Sequence, residues 1–220
     1  MRAQVKPARS YRSEVRAEQA RRTRDRIITA ARDRFVENGY AGTSIGSIAE
    51  AARVVPETVY NIFGTKRALL EEIVRVTIAG GFDEPDDLLE RTWVAELQAQ
   101  PTVTARIGGF ADHTARTLER MAPIHALVWL AAAGDAALAD LPSQIHQARF
   151  RRQRQVLEAL TAGATGIQRN DAADTFSALA SPELHHVLRR VRGWSARRYS
   201  NWLRATVLAA TGSGPAPQPP

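Results

Sequence analysis

Apolar residues recur at helical spacing along most of the chain, and no stretch alternates as a strand would. The first strong helix is predicted over residues 21–38, with Ile27, Ile28, Ala31 and Phe35 on its buried face and Gly39 as the residue just past its end. Ile45, Ile48, Ala49 and Ala52 then stand at i, i+3, i+4 and i+7, one face of a short helix, with Thr43 ahead of it as the expected N-cap. The chain breaks at Arg53-Val54. A second short helix follows, with Pro56 in its first turn, where its missing N–H costs nothing. Val59, Ile62 and Phe63 are expected inward, and Pro56, Glu57, Tyr60 and Asn61 outward. Gly64 ends this helix and Thr65 caps the next, over 66–79, whose inner side is Leu69, Leu70, Ile73 and Val76. Two short helices joined by a tight turn, the second with a polar outer face, describe a helix-turn-helix.

Beyond Gly80-Gly81 and a loop over 81–87, the pattern remains helical. Helices are predicted over 88–100, from Pro101 to Met121, and from Pro123 onward, where 124–133 is apolar nearly all round and reads as the central buried helix. Pro142 opens a long helix to about residue 162, with Arg149, Arg151, Arg152 and Arg154 expected on exposed faces. After a break over 161–168, a helix covers 172–180. Ser181-Pro182-Glu183 starts another, and Arg192-Gly193 ends it. Ser195 caps the last helix, striped by Tyr199, Trp202, Leu203, Thr206, Val207 and Ala210. The fold class is all-α. The expected organisation is a basic flexible arm over 1–20, a three-helix helix-turn-helix head over 21–80, a helical body over 81–211, and a disordered Gly/Pro-rich tail over 212–220.

Charge sharpens this division. The net charge is +7, and residues 1–67 hold 14 Lys/Arg against 7 Asp/Glu, leaving 16 of each sign in the remainder. The whole excess accompanies the helix-turn-helix and the segment before it, the footprint expected for a polyanion. The arm, with Arg2, Lys6, Arg9, Arg12 and Arg16, either follows the phosphate backbone or only raises non-specific affinity. There is no cysteine, which excludes disulfides and thiolate metal sites. No apolar run is long enough to span a bilayer, and the basic start is not followed by a signal-peptide core, so a cytoplasmic location is the default expectation.

The run from Gly39-Tyr40 through Thr43-Ser44-Ile45, Ile48-Ala49, Ala52, Val54, Thr58-Val59-Tyr60, Phe63 and Lys66 to Ala68-Leu69-Leu70 resembles the DNA-binding domain of the TetR family of bacterial transcriptional regulators. The resemblance is specific over about residues 22–80, and a looser one covers 171–203. It implies a homodimer, each subunit with a DNA-binding head and a larger helical domain for ligand binding and dimerisation. It also implies that Thr43, Ser44, Tyr60 and Lys66 hold phosphates, that Val55, Pro56, Glu57 and Asn61 lie toward base edges of double-stranded operator DNA, and that Thr58 is among the DNA-binding residues. Two residues depart from the family pattern. Arg53 replaces the usual turn glycine, so a side chain is expected near positive φ at about 1 kcal/mol. Val55 replaces a common capping serine and cannot cap.

The five histidines make no i, i+4 pair and accompany no nucleophile or phosphate-loop motif, so neither a metal site, a cofactor nor an enzymatic role is expected. Trp93, Phe110, His113, His125, Trp129 and Phe150 fall on segments expected to surround the body interior. They read either as core or as the wall of an apolar pocket for an unknown small-molecule effector, with His113 and His125 as polar anchors. The apolar faces after Pro142, including Ile145, Val156 and Leu160, together with the C-terminal stripe, are the expected dimer interface. The reading that unites these features is a ligand-responsive repressor binding a near-palindromic operator and released by an apolar or amphipathic effector. The alternative is an activator or constitutive DNA-binding protein with no effector.

Overall fold

The computed structural model describes residues 8–85, 87–163 and 169–211. The described residues contain helices and turns and no strand. No helix among them is long and apolar enough to cross a membrane. The chain divides into two compact units, Met1–Val76 and Thr77–Pro220, a few residues ahead of the expected boundary and inside a helix rather than in the loop after it.

The N-terminal unit holds α1 (Ala8–Gly42), α2 (Ile45–Ala52), α3 (Pro56–Phe63) and most of α4 (Lys66–Ala79). Most of the segment expected as a flexible arm is therefore helix, because α1 begins at Ala8. Alanine, arginine, glutamate and glutamine fill that stretch, and Glu18 pairs with Arg21 and Arg22 one turn on. Residues 1–7, like the expected tail over 212–220, lie outside the described residues. Gly39 interrupts the helical dihedrals at φ 73°, ψ 166°, a conformation glycine adopts readily. Ile27, Ile28, Ala31 and Phe35 of α1 are buried, as are Ile48, Ala49 and Ala52 of α2, Val59 of α3, and Leu69, Leu70 and Ile73 of α4. Ile62 differs from expectation: it is 38% exposed, and Phe63 is only partly covered. The Arg24 guanidinium lies 5.6 Å from the Phe63 ring centre and 2.6 Å from Glu72, which also binds Arg75 at 2.7 Å.

The C-terminal unit comprises α5 (Thr92–Gln98), α6 (Val103–Gly134), α7 (Leu141–Leu160), α8 (Arg169–Leu179), α9 (Pro182–His186) and α10 (Ala196–Ala210). The helix expected over 88–100 is two pieces, a 3₁₀ turn at Leu88–Glu90 and α5, because Arg91 is extended at φ −72°, ψ 136°. Two prolines do not start helices as expected. Thr102, not Pro101, precedes α6 and caps it through Ala105 N–H at 3.1 Å, and Pro123 sits inside α6. Pro123 removes one backbone hydrogen bond, and buried Met121, Ile124, Leu127 and Val128 hold the segment on both sides. The stretch expected to be buried all round is two-sided: Trp129 is 51% and Leu130 76% exposed.

The core joins Ile107, Phe110, Ala111 and Leu118 of α6 to Val156 and Leu160 of α7, Phe176 of α8, and Tyr199, Leu203 and Val207 of α10. Only part of the expected dimer interface is buried here, since Ile145, Trp202 and Thr206 are half-buried and Ala210 is exposed. Val156, Leu160, Tyr199, Leu203 and Val207 are all fully buried inside the C-terminal unit, so these five side chains are not on its surface. Ser181 and Ser195 cap α9 and α10 as expected, and Gly193 turns the chain between them at φ 68°. Of the break expected over 161–168, residues 161–163 form a turn, and the rest lies outside the described residues.

Candidate nucleic-acid interface and interior cavity

The geometry of the helix-turn-helix follows from its caps. Ser44, not Thr43, caps α2: its Oγ accepts from Ser47 N–H at 3.0 Å. Thr43 is buried, and its hydroxyl donates to the carbonyls of Gly39 (2.8 Å) and Arg34 (3.0 Å). That hydroxyl, expected to hold a phosphate, instead fastens the end of α1 to the start of α2. Arg53 occupies the left-handed region at φ 55°, ψ 48°, and its N–H returns to the carbonyls of Ala49 and Glu50. Val55 precedes α3 with no side-chain cap and Pro56 follows at the first helical position. Gly64, at φ 73°, ends α3, and Thr65 Oγ1 accepts from Ala68 N–H at 3.0 Å to start α4.

These turns present one continuous outer surface. Ser44, Val55, Pro56, Glu57, Tyr60 and Asn61 are exposed, and Thr58 is half-buried. The valine that cannot cap is 59% exposed and Tyr60 53%. Lys66 is half-buried, with its ammonium 4.2 Å from the Tyr40 ring centre, a cation–π seat that fixes where its charge sits.

The C-terminal unit contains two adjoining pockets, an outer and an inner chamber, that share wall residues. The outer has a volume of about 550 Å³ and the inner about 110 Å³. Trp129 lines the outer chamber, Trp93, Phe110 and His113 the inner, and His125 both. Phe150 lines neither; it packs against the core. His113, Trp93, Phe110 and Phe176 form a stack, with centroid separations of 3.8, 6.0 and 4.6 Å and planes within 15°. Burial, with the nearby charges of Arg116, Arg120 and Arg91, pushes the His113 imidazole down to about 4, so it is neutral near pH 7. Trp129 donates its indole N–H to His125 Nε2 at 2.8 Å. An indole nitrogen only donates, so that His125 nitrogen carries no proton, and its 3.5 Å approach to Glu183 is not an ion pair in this arrangement. Burial likewise lowers the His125 pKa, against the pull of Glu183.

Sequence reasoning missed the cationic part of this wall. Arg149, expected outside, is half-buried and lines both chambers. Arg91 and Arg152 line the inner chamber, and His146 the outer. An arginine on an otherwise amphipathic helix carries no local sign that its partners, here the carbonyls of Ser177 and Ala180, come from another helix. Among the described residues no group of three or more His, Cys, Asp or Glu side chains is placed to hold a metal ion.

Residues 27–73 match the family model described as "Bacterial regulatory proteins, tetR family". The chain is 39% identical over 56 residues to the HTH-type transcriptional regulator UidR of Escherichia coli K12, 26% of this chain and 29% of UidR. It is 31% identical over 87 residues to the HTH-type transcriptional regulator TcmR of Streptomyces glaucescens, 40% of this chain and 33% of TcmR. The chain thus matches a third or less of the length of these curated relatives. Solved structures share the fold over most of the chain. A TetR-family regulator from Mesorhizobium loti MAFF303099 superposes with a TM-score of 0.67 at 21% identity, over 88% of this chain and 96% of its own. NalD, described as the secondary repressor of the MexAB-OprM multidrug efflux pump in Pseudomonas aeruginosa, superposes at 0.59 and 20% identity, over 86% and 95%.

Proposed function

The chain belongs to the TetR family of bacterial regulatory proteins, and from that premise we propose that it is a ligand-responsive transcriptional repressor. It binds a near-palindromic operator as a homodimer through α2 and α3. The observation that carries the reading is the exposed polar face of α3, presented by a helix-turn-helix in the part of the chain that holds the whole positive excess. Tyr60, Lys66 and the Ser44 hydroxyl hold phosphates. Glu57 and Asn61 read base edges, as acceptor from cytosine and partner of adenine, and Pro56 packs on a thymine methyl. Dimerisation doubles a site that one recognition helix reads too briefly for specificity. Leu130, Val187 and Val191, each at least 44% exposed, are the apolar side chains of the C-terminal unit that a second copy covers.

The effector occupies the two adjoining chambers. A ligand releases DNA only by binding better to a conformation in which the two recognition helices are wrongly spaced. α4 is the lever: Lys66 stands in its first turn, and Ile78, in its last, belongs to the cavity wall. The coupling is reciprocal and on the order of 1–3 kcal/mol.

The test uses a DNA fragment that the protein itself selects from a random pool. Tyr60→Ala and Asn61→Ala should each weaken binding by about tenfold or more, and unfolding should stay within about 0.5 kcal/mol of the parent, as for surface changes. Selection of no common sequence, or parental binding by both variants, would overturn the assigned face.

A further inference from the structure

The cavity wall has a one-sided chemistry. The two chambers share Met121, His125, Ile145, Arg149 and Pro182 as wall residues. Arg149 is the polar group at that junction. Its Nη1 donates to the carbonyls of Ser177 (2.9 Å) and Ala180 (3.2 Å) and to Gln153 Oε1 (3.2 Å), and its Nη2 faces His146 Nδ1 at 3.2 Å. None of these hydrogen-bond partners is a carboxylate; Glu183, in the outer wall, is the negative charge that acts on Arg149 from a distance. Deeper in, Trp93 lines the inner chamber, and its buried indole N–H has no hydrogen-bond partner among the described residues. Two more arginines, Arg91 and Arg152, belong to the inner wall, and Glu183 is the one carboxylate in the two walls among the described residues.

A wall rich in donors and positive charge, and poor in acceptors, selects against a cation by repulsion. It also selects against a purely apolar molecule, which leaves its buried donors without acceptors. We propose that the effector is an amphipathic organic monoanion. Its acidic head accepts from Arg149 at the junction, and its apolar body fills the outer chamber over Met121, Val128, Trp129 and Ile145. An acceptor on the inward side of the molecule meets the Trp93 N–H. A guanidinium suits this task because its hydrogen bonds to carboxylate are charge-assisted. The proposal rests on the reading of this cavity as the effector site and narrows it to one charge class.

The experiment compares decanoate, decanol and decyltrimethylammonium, which share an apolar chain and differ in head charge. Binding to the full-length protein is followed by tryptophan fluorescence, since Trp93 and Trp129 line the chambers, and by calorimetry. Decanoate should bind about tenfold or more tighter than decanol, and the cation weakest. Arg149→Gln should bring decanoate and decanol to similar affinities. Because Arg149 ties α7 to the end of α8, that variant needs a fold check by circular dichroism; Ala132→Phe, which fills the outer chamber from its wall, should abolish decanoate binding independently. Equal or tighter binding of decanol or the ammonium compound, or decanoate binding that survives Ala132→Phe, overturns the proposal. A parallel titration of the protein–DNA complex separates the two claims. If decanoate binds as expected and leaves DNA affinity unchanged, the effector reading fails and the charge preference stands. If decanol releases DNA and decanoate does not bind, the effector reading stands and the anion proposal falls.

Discussion

The two units of this chain bury different things. Among the described residues of the N-terminal unit, the buried side chains are apolar with one exception, Thr43. The C-terminal unit buries Arg91, Thr114, Gln153, Thr161, Ser177, His185 and Thr211, and half-buries Arg149 and His113. The partners differ in range as well. Thr43 reaches carbonyls four and nine residues back. In the C-terminal unit Arg149 reaches carbonyls 28 and 31 residues on, His185 and Arg189 reach Glu119 from 66 and 70 residues away, and Ser200 and Arg204 reach Asp112 from 88 and 92. The N-terminal unit also has a long-range pair, Arg24 with Glu72, but keeps most of its polar chemistry outside, where a nucleic acid can meet it. The C-terminal unit turns polar groups inward and satisfies them across helices, the construction a small-molecule site requires.

The largest way to break this comparison is through the long-range core. Phe176 is fully buried and its ring stacks on Phe110 at 4.6 Å. Phe176→Ala should remove about 3–5 kcal/mol of stability, measured by urea unfolding. A loss under about 1 kcal/mol would mean that the stack is not what joins α6 to α8.

Titration gives an intermediate effect confined to the C-terminal unit. The folded-state pKa of His113, about 4, lies below the ordinary histidine value, so the unfolded chain binds the proton more tightly. Its contribution is fully present above about pH 6.5 and falls as the pH drops toward 4, by on the order of 2–3 kcal/mol. Unfolding measured against pH, in the parent and in His113→Phe, should show the dependence in that window shrink in the variant. An unchanged slope would place the sensitivity elsewhere, with His185 and His125, which burial also lowers, as the remaining histidines to test.

The smallest effect sharpens the local side of the comparison. Arg53 holds the left-handed conformation in the α2–α3 turn. Arg53→Gly should relieve that strain and raise stability by about 0.5–1 kcal/mol, net of glycine's greater unfolded-state freedom. Thermal unfolding of the two proteins decides it; a loss of stability would show that the arginine side chain contributes more at this turn than its backbone costs.

By itself the sequence determined what nearby residues can decide. The spacing of Ile45, Ile48, Ala49 and Ala52, the glycines at 39, 64 and 193, the caps at Thr65, Ser181 and Ser195, and the positive φ at Arg53 all appear in the structure as their chemistry requires. Each of those signals acts over one helical turn or less, so the helices and turns of the helix-turn-helix were legible. Tertiary structure decided what depends on distant partners. It carried α6 through Pro123. It covered Val156, Leu160 and the Tyr199–Leu203–Val207 stripe within the C-terminal unit, and brought Arg149 to a cavity wall. The reason is the same in each case. A proline's missing hydrogen bond, an apolar stripe or an arginine on a helix has more than one stable setting, and only packing against helices far along the chain selects among them.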